Sequence, residues 1–174
     1  MTQRYRTSIP GLYLRFAARH DVPELLELIR ELAEFEKLLD QVSADEATLA
    51  EALFGTGRVA ESVLAELNGE IVGFAVFFHN FSTFLGRAGL HLEDLYVRPH
   101  ARGQGVGKSL ITFVARVAVE RRCGRFEWSV LDWNTPAIDF YRRLGAAPMS
   151  EWTVQRITGE ALARLGSQDF PPEA

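Results

Sequence analysis

A run of arginine and glycine in the middle of the chain has the residue types of an anion-binding turn. Residues 102–107, RGQGVG, follow an apolar run that ends LYV and precede an amphipathic stretch. Glycines lack a Cβ atom, so their backbone N–H groups can point together at one spot, and at a helix N-terminus such groups bind anions. Arg102 and Lys108 add positive charge. The simplest ligand for this turn is a pyrophosphate.

Counting the glycines excludes two common phosphate motifs. A Walker A loop ends in Gly-Lys-Ser/Thr, which Gly107-Lys108-Ser109 supplies, but its first glycine would fall on Arg102. A Rossmann fingerprint that starts at Gly103 would need a glycine where Lys108 stands. The pattern that is left is Arg-Gly-X-Gly-X-Gly between a strand and a helix.

Composition limits the class of protein. The 174 residues fit one domain, and the net charge of −4 argues against nucleic acid as the partner. The single cysteine, Cys123, excludes an intrachain disulfide and a cysteine-clustered zinc site, and it fits a reducing compartment. No apolar run approaches the about 20 residues of a membrane span. We therefore expect a cytoplasmic protein without a metal or a membrane contact.

Hydrophobic periodicity predicts the elements that carry the turn. Strands are expected at 12–17, 59–67, 71–79, 89–97 and 125–131, with short strands at 148–150 and 153–158. Helices are expected from Asp21 to about Leu39, from Ser43 to Gly55, and over 105–121, 134–144 and 160–165. Glu24 and Glu46 would complete capping boxes with Asp21 and Ser43.

Two connections between the strands have their own signals. Asn68-Gly69 predicts a tight hairpin, and residues 80–89 are expected to form a loop. The order β-α-α-β-β-β-α-β-α-β predicts an α/β (α+β) fold with a mixed sheet and helices on both faces. Glu93 and Asp94 are neighbours in one strand, so we expect them to face opposite sides, with Glu93 the functional one.

Several segments together resemble a known family. The Arg-Gly-X-Gly-X-Gly pattern is the signature of the GNAT superfamily of acetyl-CoA-dependent N-acetyltransferases. Residues 29–36 (IRELAEFE), 92–97 (LEDLYV), 132–141 (DWNTPAIDFY) and 143–146 (RLGA) look like its diamine (spermidine/spermine) N-acetyltransferase branch. The resemblance covers residues 12–165, with 1–11 as an N-terminal extension and 166–174 as a C-terminal tail.

The resemblance implies a fold and a cofactor site. The fold would be a single domain with a twisted, mostly antiparallel mixed sheet that is splayed at its centre. Acetyl-CoA would lie in the splay, with no metal involved. Its expected contacts are Leu95, Tyr96, Val97, Arg102, Gly103, Gln104, Gly105, Val106, Gly107, Lys108, Asn134, Pro136, Ala137, Tyr141 and Arg143.

The resemblance also implies an enzyme, an acyltransferase in which the amine attacks directly in a ternary complex. A primary amine with a pKa near about 10.4 is less than about 0.1% neutral at pH 7, so a base is required. We expect Glu93 to accept the proton, the Leu95 amide to polarise the carbonyl, and Tyr141 to protonate the leaving thiolate.

A cationic acceptor would need an acidic and aromatic pocket. Its expected residues are Phe35, Glu36, Glu93, Asp94, Glu127, Trp128, Glu151 and Trp152. Where polyamine enzymes tend to carry an acidic residue and tryptophan, this chain has Ser82-Thr83-Phe84. Diamines, polyamines and lysine-like amino acids such as thialysine therefore all stay open as acceptors.

Two other interpretations stay open. One is a non-catalytic CoA-binding sensor or subunit, and the other is an N-acetyltransferase that acts on a protein or peptide. The resemblance also implies a homodimer, for which the apolar residues from Trp152 to Ile157 are a candidate interface.

Overall fold

The structure is a computed structural model that describes residues 3–167. These residues fall into two compact units, which meet between Ser129 and Val130 in the sequence. Each unit is described by itself.

Within the first unit, the described residues form a six-stranded sheet. The strands are β1 (Arg4–Arg6), β2 (Leu12–Phe16), β3 (Glu61–Leu67), β4 (Glu70–Ser82), β5 (Arg87–Val97) and β6 (Phe126–Trp128). They lie in chain order, and all neighbours are antiparallel except β5 and β6, which are parallel. The predicted mixed, mostly antiparallel sheet is confirmed. The strand β1 was not predicted, and β6 is shorter than expected.

Helices cover both faces of this sheet, as predicted. The unit contains α1 (Val22–Phe35), α2 (Glu46–Phe54) and α3 (Val106–Glu120). Apolar side chains of α1 and α2 share one buried cluster with Phe74 and Val76 of β4. The α3 ring of Phe113 lies 5.7 Å from the ring of Phe16, which lies 6.5 Å from that of Phe77. Neighbouring strand residues face opposite sides, so α3 lies on the other face.

The two predicted connections between strands have different outcomes. Asn68 and Gly69 both have positive φ angles, 54° and 89°, as a two-residue type I′ hairpin requires. The predicted loop at 80–89 is wrong, because β4 and β5 stay paired as far as Ser82 and Arg87 and leave four residues for the turn. Backbone pairing continues there although apolar and polar side chains do not alternate along the sequence.

Both predicted capping boxes are wrong. The Asp21 carboxylate accepts hydrogen bonds from the guanidinium of buried Arg15 at 2.6 and 2.7 Å, so it does not cap α1. The cap of α2 is Asp45, which accepts from the backbone N–H of Thr48 at 2.8 Å. Helix α1 also ends at Phe35, before Leu39, because the chain turns into the left-handed region at Lys37.

The second unit contains two helices among its described residues, α4 (Thr135–Arg143) and α5 (Gly159–Gly166). Asn134 caps α4 through the N–H of Ala137, and Gly145 with φ 91° follows its end, as predicted. The strands predicted at 148–150 and 153–158 are wrong, since this segment has no regular structure. No other strand lies in residues 130–167 to pair with them, and an isolated strand is unstable. Of the predicted tail 166–174, Gly166 is the last residue of α5 and Ser167 follows it, while residues 168–174 lie outside the described residues.

Candidate active site

The pairing between β4 and β5 is interrupted at Glu93. Val76 of β4 lies opposite Asp94, but the next residue, Phe77, lies opposite Leu92. Glu93 is therefore the extra residue of a β-bulge. Bulges bend a strand and re-aim side chains, and they are frequent beside active sites.

The bulge overturns the expected alternation of the two carboxylates. The Glu93 carboxylate lies 3.8 Å from Nε2 of His91, whose ring packs 5.0 Å from that of Phe78. Phe78 and Val76 lie two residues apart on β4 and so share a face, which is the face covered by α1 and α2. Since Asp94 lies opposite Val76, Glu93 and Asp94 both lie on this face.

A third carboxylate, at the end of α1, acts on the same site. Burial, together with the negative charges of Glu93 and Glu36, raises the pKa of Asp94 to about 6. Burial also raises the pKa of Glu36, the residue that follows α1. The Asp94 carboxyl, buried and close to two other acidic side chains, forms with them a site that a cation would stabilise.

The parallel pairing of β5 with β6 stops just before these carboxylates. Its three pairs end at Leu92 with Trp128. In the first unit, the peptide groups of residues 93–97 therefore have no strand partner on that side, as a splayed sheet requires. The resemblance places acetyl-CoA contacts with Leu95, Tyr96 and Val97 along this edge, and these contacts stay a prediction.

Two of the predicted acceptor residues lie on β6. The Glu127 carboxylate accepts a hydrogen bond from Nδ2 of Asn80 at 2.6 Å and pairs with Arg125 at 3.2 Å. The ring of Trp128 lies 5.0 Å from that of Phe126. Glu127 therefore already has side-chain partners, and its role toward an acceptor stays a prediction.

The glycine-rich turn has the geometry of an anion site. Gly103 and Gly105 have φ angles of 74° and 83°, which residues with a Cβ rarely adopt. Gly105 directly precedes α3, and no side chain caps this helix. The first backbone N–H groups of a helix have no acceptor inside it, so those of Val106, Gly107 and Lys108 can bind an anion. Lys108 is exposed beside them.

Sequence reasoning missed the ionic contacts that hold this turn. The Arg98 guanidinium donates from Nε and Nη2 to Glu31 Oε1 at 3.0 and 2.9 Å, which ties the end of β5 to α1. The guanidinium carbon of Arg102 lies 4.9 Å from the ring centroid of Phe35, the last residue of α1. The local signal was the spacing of Glu31 and Phe35, four residues apart and therefore on one face of α1.

The second unit carries the other predicted cofactor residues. Asn134, Pro136 and Ala137 form the start of α4, and half-buried Tyr141 packs its ring 5.3 Å from that of Phe140 near the end. Arg143 is the last residue of α4. Glu151 and Trp152, predicted to contact the acceptor, are exposed in the irregular segment 146–158.

Residues 3–167 hold no group of three or more histidine, cysteine, aspartate or glutamate side chains placed to bind a metal. None of their helices combines the length and the apolar character that a membrane span needs.

Comparison with known proteins identifies the class of enzyme. The model of the acetyltransferase (GNAT) family matches residues 23–146. The thialysine N-epsilon-acetyltransferase of Sus scrofa is 40% identical over 91% of this chain and 99% of its own length. The L-ornithine N5-acetyltransferase of Arabidopsis thaliana is 33% identical over 87% of this chain and 86% of its own.

Solved structures share the fold. An integron cassette protein from the mobile metagenome of V. cholerae superposes with a TM-score of 0.76 at 25% identity, covering 91% of this chain and 99% of that one. A ribosomal-protein-alanine N-acetyltransferase from Brucella melitensis gives 0.69 at 24% identity, covering 85% and 99%.

Proposed function

Because the chain belongs to the acetyltransferase (GNAT) family, and is thus an acyltransferase, we propose that it transfers an acetyl group from acetyl-CoA to a primary amine of a small cationic substrate. The bulge is the observation that supports a cationic substrate. It places Glu93 and Asp94 on one face, close enough to Glu36 for its charge to affect Asp94. An ammonium group would relieve the mutual repulsion of these carboxylates.

The chain offers acetyl-CoA two matching surfaces. The uncapped start of α3, with Gly103 and Gly105 in conformations that need glycine, suits the pyrophosphate. The unpaired edge of residues 93–97 suits the pantetheine arm, whose amide groups can pair with a strand. When bound, acetyl-CoA supplies a thioester, an acyl group that an amine can attack.

Each proposed step uses a group of this chain. Glu93 accepts one proton from the acceptor ammonium and passes it to solvent, and the neutral nitrogen then bonds to the acetyl carbon as the carbon–sulfur bond breaks. The nitrogen then loses its second proton to Glu93, which leaves a neutral amide. The N–H of Leu95 stabilises the negative oxygen that develops. Tyr141 is proposed to protonate the thiolate, which is supported by its place in the motif of residues 132–141 alone. Asp94 holds the ammonium in place.

The preferred acceptor is a short amine such as thialysine or a lysine-like amino acid. The relatives named above act on thialysine and ornithine, which each carry an amine on a short side chain. Where the diamine branch tends to have an acidic residue and tryptophan, this chain has Ser82-Thr83-Phe84, and the Phe84 side chain is 95% exposed at the hairpin tip. A long polyamine would find no carboxylate at these three positions.

The test is acetyl-CoA-dependent release of CoA over a panel of thialysine, lysine, ornithine, diamines and polyamines, ranked by kcat/KM. We expect the short amino acids to rank first. Replacing Glu93 by Gln should lower kcat about 100-fold or more, as loss of a general base does. The matched control is Glu120→Gln at the exposed end of α3, which should keep full activity. Saturable CoA binding without turnover of any amine would favour the sensor interpretation instead.

The proposal includes a cytoplasmic homodimer. In segment 146–158, the apolar residues Trp152 and Val154 are 72% and 78% exposed, and a second copy of the chain would bury them. Sedimentation should show a dimer that the double change Trp152→Glu, Val154→Glu dissociates, and a monomeric unchanged protein would refute this part.

A further inference from the structure

The guanidinium of Arg102 lies close to two aromatic rings. Its central carbon is 4.9 Å from the ring centroid of Phe35 and 5.5 Å from that of Tyr96. Its Nε donates a hydrogen bond to the carbonyl oxygen of Val97 at 2.8 Å. Both distances to the rings are within the range of cation–π attraction. The first residue of the glycine-rich turn is thus fixed to the last residue of α1.

A second contact holds the same face of α1 to the start of the turn. Arg98 is 15% exposed at its side chain, and it pairs with Glu31 and with Glu24, whose carboxylate lies 2.9 Å away. It also donates to the carbonyl oxygen of Ile71. Glu24, Glu31 and Phe35 have the spacing of residues on one face of α1. This face of α1 therefore contacts Arg98, which precedes the turn, as well as Arg102.

This face of α1 ends beside the carboxylates of the proposed acceptor site. Phe35 is directly followed by Glu36, whose charge helps to raise the pKa of Asp94. A shift of this helix end moves Glu36 relative to Asp94. The stack of Arg102 on Phe35 thus lies between the site proposed for pyrophosphate and the site proposed for the amine.

We infer that Arg102 is a positioning residue that couples acetyl-CoA binding to acceptor binding through its stack on Phe35. The inference rests on the proposed function and adds a link between its two sites. When the turn binds acetyl-CoA, the backbone of Arg102 is held in place. The guanidinium that stacks on Phe35 then holds the end of α1, and this fixes the position of Glu36 relative to Asp94. Such coupling is reciprocal, so a change at Phe35 must alter the affinity for acetyl-CoA.

The decisive measurement is the Kd of acetyl-CoA by titration calorimetry with no acceptor present. Phe35→Leu removes the ring and is expected to raise this Kd about two- to fivefold, the size of a partly exposed cation–π contact. Phe35→Tyr keeps the ring and should match the unchanged protein. Since Phe35 is partly exposed, both variants are expected to fold, and their Tm values check this.

The reciprocal measurement is the acceptor KM at saturating acetyl-CoA. Arg102→Lys keeps the charge but loses the planar stacking group, so the acceptor KM should rise by a similar factor while kcat stays within twofold. Combining it with Phe35→Leu should add nothing further to the acetyl-CoA Kd. The control is Arg4→Lys, which removes a remote stack on Tyr13 at 4.4 Å and should change neither constant.

Each outcome decides something. Equal acetyl-CoA affinity in the Leu and Tyr variants overturns the coupling, even if the enzyme is active. Additive effects in the double variant overturn it too, since they show two independent contacts. If the unchanged protein binds no acetyl-CoA, the proposed function fails first and the coupling fails with it.

Discussion

Replacing Asp94 by Asn should make the protein more stable and less able to bind its acceptor. Burial raises the pKa of this carboxyl from its ordinary 3.8 to about 6, and the charges of Glu93 and Glu36 contribute. The folded protein therefore binds this proton more tightly than the unfolded chain does. At pH 7 the group is ionised in both states, and its ionised form lowers the free energy of unfolding.

The size of the effect follows from the two pKa values. The difference between about 6 and 3.8 is about two pH units, and each is worth 1.36 kcal/mol, which gives about 3 kcal/mol at most. Asparagine has the same shape without the charge. For a chain of this length, that gain raises the Tm by about 6–12 °C. As the pH falls through 6 toward 4, the unchanged protein takes up the proton and the difference from the variant disappears.

The assay combines thermal unfolding from pH 4 to pH 8 with acceptor kinetics at pH 8. The acceptor KM should rise about tenfold or more in Asp94→Asn, because the ammonium loses a charged partner, while the KM for acetyl-CoA is unchanged.

The matched control is Asp21→Asn, which should have the opposite sign. Burial favours a higher pKa for Asp21, but hydrogen bonds from Arg15 and from the N–H of Ala18 outweigh it and lower the pKa. Its stabilising contribution is present above the unfolded pKa and is lost as the pH falls, so the substitution should lower the Tm at pH 7. An Asp94→Asn protein that unfolds at or below the unchanged Tm at pH 7, or whose gain does not vary with pH, would refute the reasoning.

Further predictions concern the turn and α4. Tyr141→Phe should lower kcat at least tenfold and leave the acetyl-CoA Kd within twofold, and equal turnover would remove Tyr141 as the proton donor. Gly105→Ala should lower the Tm and weaken acetyl-CoA binding about fivefold or more. Residue 105 has a left-handed φ of 83°, which alanine rarely adopts, and its Cβ would lie 2.9 Å from Ile9. Gly57→Ala is the matched control, since a Cβ there meets nothing within 4 Å, and equal losses in both variants would contradict a specific role of the turn.

Local chemistry made part of the structure predictable. Asn68-Gly69 specifies its turn because few residues tolerate two successive positive φ angles. Asn134 and Gly145 bound α4 for similarly local reasons. Where several capping residues stand close together, as Ser43 and Asp45 do, the pattern does not select between them. The structure uses Asp45 because α2 begins at Glu46, which places Asp45 and not Ser43 directly before the helix.

Pairing and burial were less predictable. The missing strands at 148–150 and 153–158 have suitable side chains, but a strand forms only where another offers its backbone groups. The same reason explains why β4 continues past residue 79 and why β5 begins before residue 89. Their backbones pair there although the side chains do not show the alternation of a strand. Asp21 pairs with Arg15, a partner on another element, so a local capping rule could not apply to it.

The sequence by itself determined the family and the conformation of the glycine-rich turn, because the spacing of glycines between a strand and a helix sets the local φ angles and exposes the N–H groups. It also named Glu93 and Asp94 as the acidic pair. The tertiary structure decided how they act, because a bulge that no glycine or proline marks places both on the face covered by α1. It also decided that Arg102 stacks on Phe35, since contacts between residues far apart in the chain depend on the packing of the elements that carry them.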